Sequence, residues 1–154
     1  MNCKRLRIIT GLIAVVLMIV IFLFSAQPGS ASDKTSITLT SLLFSGEDFD
    51  FIMFLNVFVR KAAHMAEYAA LAVPAWLFVS TFEIKKLWGN ILPFVFAAFY
   101  AATDEFHQLF VPSRSGQVRD VLIDSVGALL GIVFINIVIL IADRYGKKHP
   151  AKKE

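Results

Sequence analysis

Between Arg60 and Asp124 the chain sets ionisable residues into otherwise apolar sequence. Leaving aside Glu83, Lys85 and Lys86, which sit between two apolar runs, the acids are Glu67, Asp104, Glu105, Asp120 and Asp124, the bases Arg60, Lys61, Arg114 and Arg119, and the histidines His64 and His107. These types support two kinds of chemistry. An imidazole beside a carboxylate can move or orient a proton, because burial and neighbouring charges shift such groups toward working pH. His64, Glu67, Asp104 and His107 are the candidates for that role. Guanidinium and ammonium groups, backed by hydrogen-bonding side chains, can hold an anionic head group. Arg60, Lys61, Tyr68, Glu105, Gln108, Arg114, Asp120 and Asp124 are the candidates for ligand binding.

Spacing groups these residues by helix face. Arg60, His64, Glu67, Tyr68 and Leu71 recur at helical intervals and make one narrow stripe. Asp104, His107 and Gln108 share a second face, continued by Ala97 and Ala101. Asp120, Asp124, Gly127 and Gly131 form a third. Glu67, Asp104 and Asp124 each lie about six residues, or ~9 Å, inside the outer end of their expected helix. Three helices therefore present carboxylates at one level. A charged residue at the centre of a spanning helix costs roughly 2.5–3.5 kcal/mol on insertion scales, so these side chains are expected to face one another. Gly127 and Gly131, with Ala97 and Ala101, are spaced to let neighbouring helices approach closely. The acids and bases come close to balance, and a network kept only to fix helix packing is the competing explanation. Arg114, in a short polar loop above the cluster, either meets an anionic ligand or balances Glu105 or Asp120.

The elements that position these residues are membrane spans. Of 154 residues, 57% are hydrophobic and 18% charged, more apolar than a soluble domain, and the excess sits in long runs. Runs at about 8–24, 62–82, 87–110 and 118–142 are each long enough to cross a ~30 Å hydrocarbon core. The expected fold class is all-α: an integral membrane bundle of four transmembrane helices, with a short helical outer loop between spans one and two. In that loop residues 27–30 read as a turn, and residues 35–44 and 49–58 as short surface helices. Residues 1–7 form the N-terminus, 8–142 the membrane domain and 143–154 a basic tail. Ten of the 15 Lys and Arg residues flank the ends that would be inside, which predicts a multi-pass protein with both termini cytoplasmic. Trp88 fits an interfacial anchor. The first run is longer than the apolar core of about 7–15 residues in a signal peptide, so an uncleaved anchor is expected.

Several classes are disfavoured. The net charge of +3 is not arranged as a basic stripe interleaved with aromatics, so no nucleic-acid partner is expected. The lone Cys3 supports neither a disulfide framework nor a cysteine metal site. His64, His107 and the nearby carboxylates are ligand types that zinc uses, but they lie on different helices without HExxH spacing. No cofactor is predicted and a metal is not favoured. No serine sits in a nucleophile elbow, and there is no Gly-rich phosphate loop.

Three ordered stretches resemble the VanZ-like family of bacterial membrane proteins. They are Phe24-Ser25-Ala26-Gln27; Arg60-Lys61-x-x-His64-x-x-Glu67-Tyr68; and Asp104-Glu105-x-His107-Gln108-x-Phe110-Val111-Pro112-x-Arg114-x-Gly116, which continues to Asp120-x-x-x-Asp124-x-x-Gly127-x-x-x-Gly131. Together they cover about residues 20–135. The resemblance implies a helical membrane domain of the cell envelope, and a link to resistance against the glycopeptide teicoplanin. It implies no particular reaction.

Three functions compete on these residues. In the first, the cluster binds or modifies an anionic amphiphile of the outer leaflet: a membrane lipid, a lipid-linked envelope intermediate or a glycopeptide antibiotic. In the second, the chain is a non-enzymatic partner protein and the charges only hold the helices together. The third is a proton-coupled carrier, which four spans would build most readily as a homo-oligomer. The lack of charge in the inner halves of the spans opposes it.

Overall fold

The computed structural model describes residues 2–148. Among these residues there are five helices and no strand: α1 (Cys3–Ser25), α2 (Gly29–Leu43), α3 (Phe49–Val79), α4 (Lys86–Gln108) and α5 (Val118–Lys148). Three helices are long and apolar enough to cross a membrane: α1, α3, and α5 over Val118–Tyr145. The expected four are therefore three on length and composition. α4 has 23 residues, but Lys86, Asn90, Asp104, Glu105 and the polar last turn dilute its apolar content.

On α1, Thr10, Ala14, Ile21 and Ser25 are buried, whereas Ile8, Leu12, Val16, Ile19 and Leu23 face outward. A helix apolar all round with one buried line is suited to lipid on its remaining faces.

α3 corrects the sequence reading. Residues 49–58 and the span expected at 62–82 are not two helices but parts of one helix of 31 residues, ~46 Å long. No glycine or proline interrupts it before Pro74, and Arg60-Lys61, although charged, does not break a helix. The Asp48 carboxylate accepts from the Phe51 N–H at 2.8 Å and caps the start. Asp48→Ala is expected to lower stability by about 1 kcal/mol, read as a lower thermal midpoint in detergent. The surface helix expected at 35–44 belongs to the longer α2, which begins directly after Pro28 and packs on α3. There the Thr40 hydroxyl donates to Asn56 Oδ1 at 3.3 Å. α4 stops at Gln108, short of the expected end. α5 runs on through Lys148, so the tail expected from residue 143 starts as helix; residues 149–154 lie outside the described residues.

α3 is the central helix, packed against each of the other four, and α4 also packs on α5. Tyr68, Leu71 and Ala72 of α3 meet Ala97 and Ala101 of α4 and Ala128 and Ile132 of α5 in the core. The α3–α5 crossing depends on two glycines. A Cβ at Gly127 would run into the backbone of Met65, and one at Gly131 into that of Ala69. At the far end of the bundle, the Trp76 indole N–H donates to Asn90 Oδ1 at 2.7 Å and Asn136 donates to the same oxygen at 3.0 Å. That tie joins α3, α4 and α5, so the opposite end is held in register.

Candidate functional site

The α4–α5 loop is locked to the end of α1 by Arg114. Its Nε donates to the Gln27 carbonyl at 3.1 Å and Nη2 to the Phe24 carbonyl at 3.0 Å. Nη1 reaches Gln108 Oε1 at 3.4 Å. Carbonyls at a helix C-terminus lack partners within the helix, and Arg114 supplies them. Burial, followed by the charge of Arg60, lowers its pKa from the ordinary arginine value. A guanidinium carries five N–H donors, so two are left over for a ligand. The Gly29 N–H donates to the Pro112 carbonyl at 3.1 Å, and Gly29 sits so close to Ser113 that a Cβ would strike its backbone. Ser113 itself adopts a left-handed φ of 59°.

Gln108, buried, organises the carboxylates beneath the loop. Its amide donates to Asp104 Oδ2 at 3.1 Å and to Glu105 Oε1 at 3.0 Å. Glu105 Oε2 in turn accepts from the Gln117 N–H at 2.9 Å, beside the start of α5, where free N–H groups favour negative charge.

Between α3, α5 and this loop lies a cleft of about 310 Å³, at the small end of ligand-binding pockets. Eight of the twelve candidate residues line it: Arg60, Lys61, His64, Glu105, Gln108, Arg114, Asp120 and Asp124. Glu67, Tyr68, Asp104 and His107 do not. Its lining is mainly polar and carries both signs of charge. Arg60 pairs with Asp33 of α2, and Lys61 with Asp120 of α5. All four side chains are partly exposed, so neither pair is sealed from water.

Asp33 and Asn56 were missed by the sequence reading. Asp33 lies on a different helix, 27 residues before its partner, and no local spacing marks it. It changes the charge balance. Arg119 is exposed and makes no ion pair among the described residues, so six carboxyl groups (Asp33, Glu67, Asp104, Glu105, Asp120 and Asp124) stand against Arg60, Lys61 and Arg114. The near balance expected from sequence becomes an acidic excess.

Tyr68, Asp104 and Asp124 are buried, and the Tyr68 hydroxyl, Asp104 Oδ1 and both Asp124 oxygens have no hydrogen-bond partner among the described residues. Ser25 Oγ at the end of α1 and His107 Nε2 are in the same condition. The two histidines occupy different surroundings. His64 Nδ1 lies 3.6 Å from Glu67 Oε2 and faces the cleft. The His107 ring packs on Phe22 with centroids 4.7 Å apart. Among the described residues, no three His, Cys, Asp or Glu side chains are grouped as a metal ion would require.

A family model described as VanZ/LLP1 matches residues 10–140. No curated protein and no solved structure matches the chain.

Proposed function

The chain belongs to the VanZ-like family, and from that premise we propose a multi-pass envelope membrane protein whose outer-face cleft holds the polar head of an anionic, lipid-linked or amphiphilic ligand. α4 then serves as the fourth span beside α1, α3 and α5, and both termini lie in the cytoplasm, where most of the basic residues flank the helix ends. The family's association with teicoplanin resistance supports a ligand of the cell envelope. It is a membrane lipid, a lipid-linked intermediate or the glycopeptide itself.

The observation that carries this reading is the convergence of Arg60, Lys61 and Arg114 on one small cleft in a bundle whose long helices expose many large apolar side chains. The cleft has room for a head group, while an acyl tail would lie in the surrounding lipid. Lys61 and the two remaining N–H groups of Arg114 are the anion-facing donors. His64, held by Glu67, orients the bound group. Asp104, Gln108 and Glu105 position the loop that closes the site.

The bonds of Arg114 to α1 favour a second reading, in which the charges serve only to fix the helices. The two readings separate in the double variant Arg60→Gln/Lys61→Gln. Both residues are partly exposed, so the fold is expected to survive. Native mass spectrometry of the detergent-purified protein should show anionic lipid adducts reduced by about tenfold, the equivalent of ~1.4 kcal/mol. Undiminished adducts on a folded double variant would leave the packing network as the function of the cluster.

A further inference from the structure

The cleft has a cationic rim and an anionic floor. Asp124 is 1% exposed, lines the cleft, and has no hydrogen-bond donor on either oxygen among the described residues. Glu105, Asp104, Asp120 and Glu67 are all within electrostatic range of it. An ionised carboxylate buried without donors is costly unless a partner is supplied, and no side chain among the described residues donates to it. Arg60 is held by Asp33, Lys61 by Asp120, and Arg114 by Gln108 and two carbonyls. Its two bare oxygens are open to a partner that enters through the cleft.

The position of Asp124 limits what that partner can be. It follows Asp120 by one helical turn on α5, so it sits ~6 Å deeper along the axis than the carboxylate that meets Lys61. A ligand bridging both levels carries an anion at the rim and a cation a short spacer away. Two bare carboxylate oxygens call for N–H donors. A primary ammonium offers three, whereas a quaternary ammonium offers none.

Resting on the head-group reading above, we infer that the cleft recognises a zwitterionic amphiphile: a phosphate ester on Lys61 and Arg114, with a primary amine one short alkyl spacer away on Asp124. Phosphoethanolamine has this form. Phosphocholine lacks the N–H groups, and phosphoglycerol lacks the positive charge.

The test is native mass spectrometry of the purified full chain, titrated separately with phosphatidylethanolamine, phosphatidylcholine and phosphatidylglycerol of identical acyl chains. Wild type is expected to bind the ethanolamine lipid at least about tenfold more tightly than the other two. Asp124→Asn is close in shape and removes the charge. It should abolish that preference while still binding phosphatidylglycerol through the rim. Equal affinity of wild type for all three lipids would overturn the inference yet leave the head-group reading standing. A preference that survives in Asp124→Asn would overturn it too, by moving amine recognition elsewhere. Binding of none of the three lipids by folded wild type would remove the head-group reading, and this inference with it. The wild-type comparison needs no variant to fold.

Discussion

Leucine in place of Gly127 is expected to yield almost no folded protein, and even alanine there should be damaging. The missing side chain is where α5 meets the backbone of α3 at Met65. Backbone cannot yield by changing rotamer, so any Cβ must push the two helices apart. Overpacking of this kind costs about 1–3 kcal/mol for the single methyl of Gly127→Ala, and more for leucine. The same displacement would separate Lys61 from Asp120 and open the cleft. Gly89 is the control. Nothing lies within 4 Å of a Cβ built there, so Gly89→Ala should be neutral. Thermal unfolding followed by size-exclusion chromatography in detergent checks both. Equal midpoints for Gly127→Ala and Gly89→Ala would mean that the α3–α5 crossing is looser than the glycines imply.

Gln108→Leu should be nearly as severe, for an electrostatic reason. One amide donates to both Asp104 and Glu105 and accepts from Arg114. Hydrogen bonds to charged groups contribute roughly 1.5–3 kcal/mol each, and their loss leaves buried carboxylates with fewer donors. The expected destabilisation is about 3 kcal/mol or more. Asp104→Asn in the Gln108→Leu background should restore part of it, since it removes one unpaired charge from the same spot. A thermal midpoint for Gln108→Leu within error of wild type would show that water, and not Gln108, satisfies these carboxylates.

Much of this arrangement was legible in the sequence. The apolar runs located α1, α4 and α5 to within a few residues, and the small residues at Gly127, Gly131, Ala97 and Ala101 marked the close packing. Of the helical stripes, Tyr68, Leu71, Asp104, Gln108 and Asp124 point inward, whereas Arg60, His64, Glu67 and Asp120 stay partly exposed. What escaped was of two kinds. The continuity of α3 was hidden because Arg60-Lys61 looked like a membrane boundary; the better signal was the lack of any helix breaker between Phe49 and Pro74. The pairing of Arg60 with Asp33, and of the Arg114 guanidinium with the end of α1, joins residues far apart in sequence. Periodicity along one helix carries no information about such partners.

The length of α3 has a further consequence for where the cleft operates. From Lys61 to Val79 the helix rises ~28 Å, close to the ~30 Å of a bilayer's hydrocarbon. If Lys61–Val79 is the part that spans, as in the topology proposed above, the preceding stretch from Phe49, another ~18 Å, extends beyond it with α2 alongside. The helix thus acts as a ruler. In a thicker membrane Arg60 and Lys61 would be drawn below the surface, and in a thinner one they would be lifted free. Such mismatch is relieved by tilt or by local deformation of the lipid, at fractions of a kcal/mol per Å. On the proposed topology, access to the site would vary with the thickness of the surrounding bilayer, without any moving part in the protein.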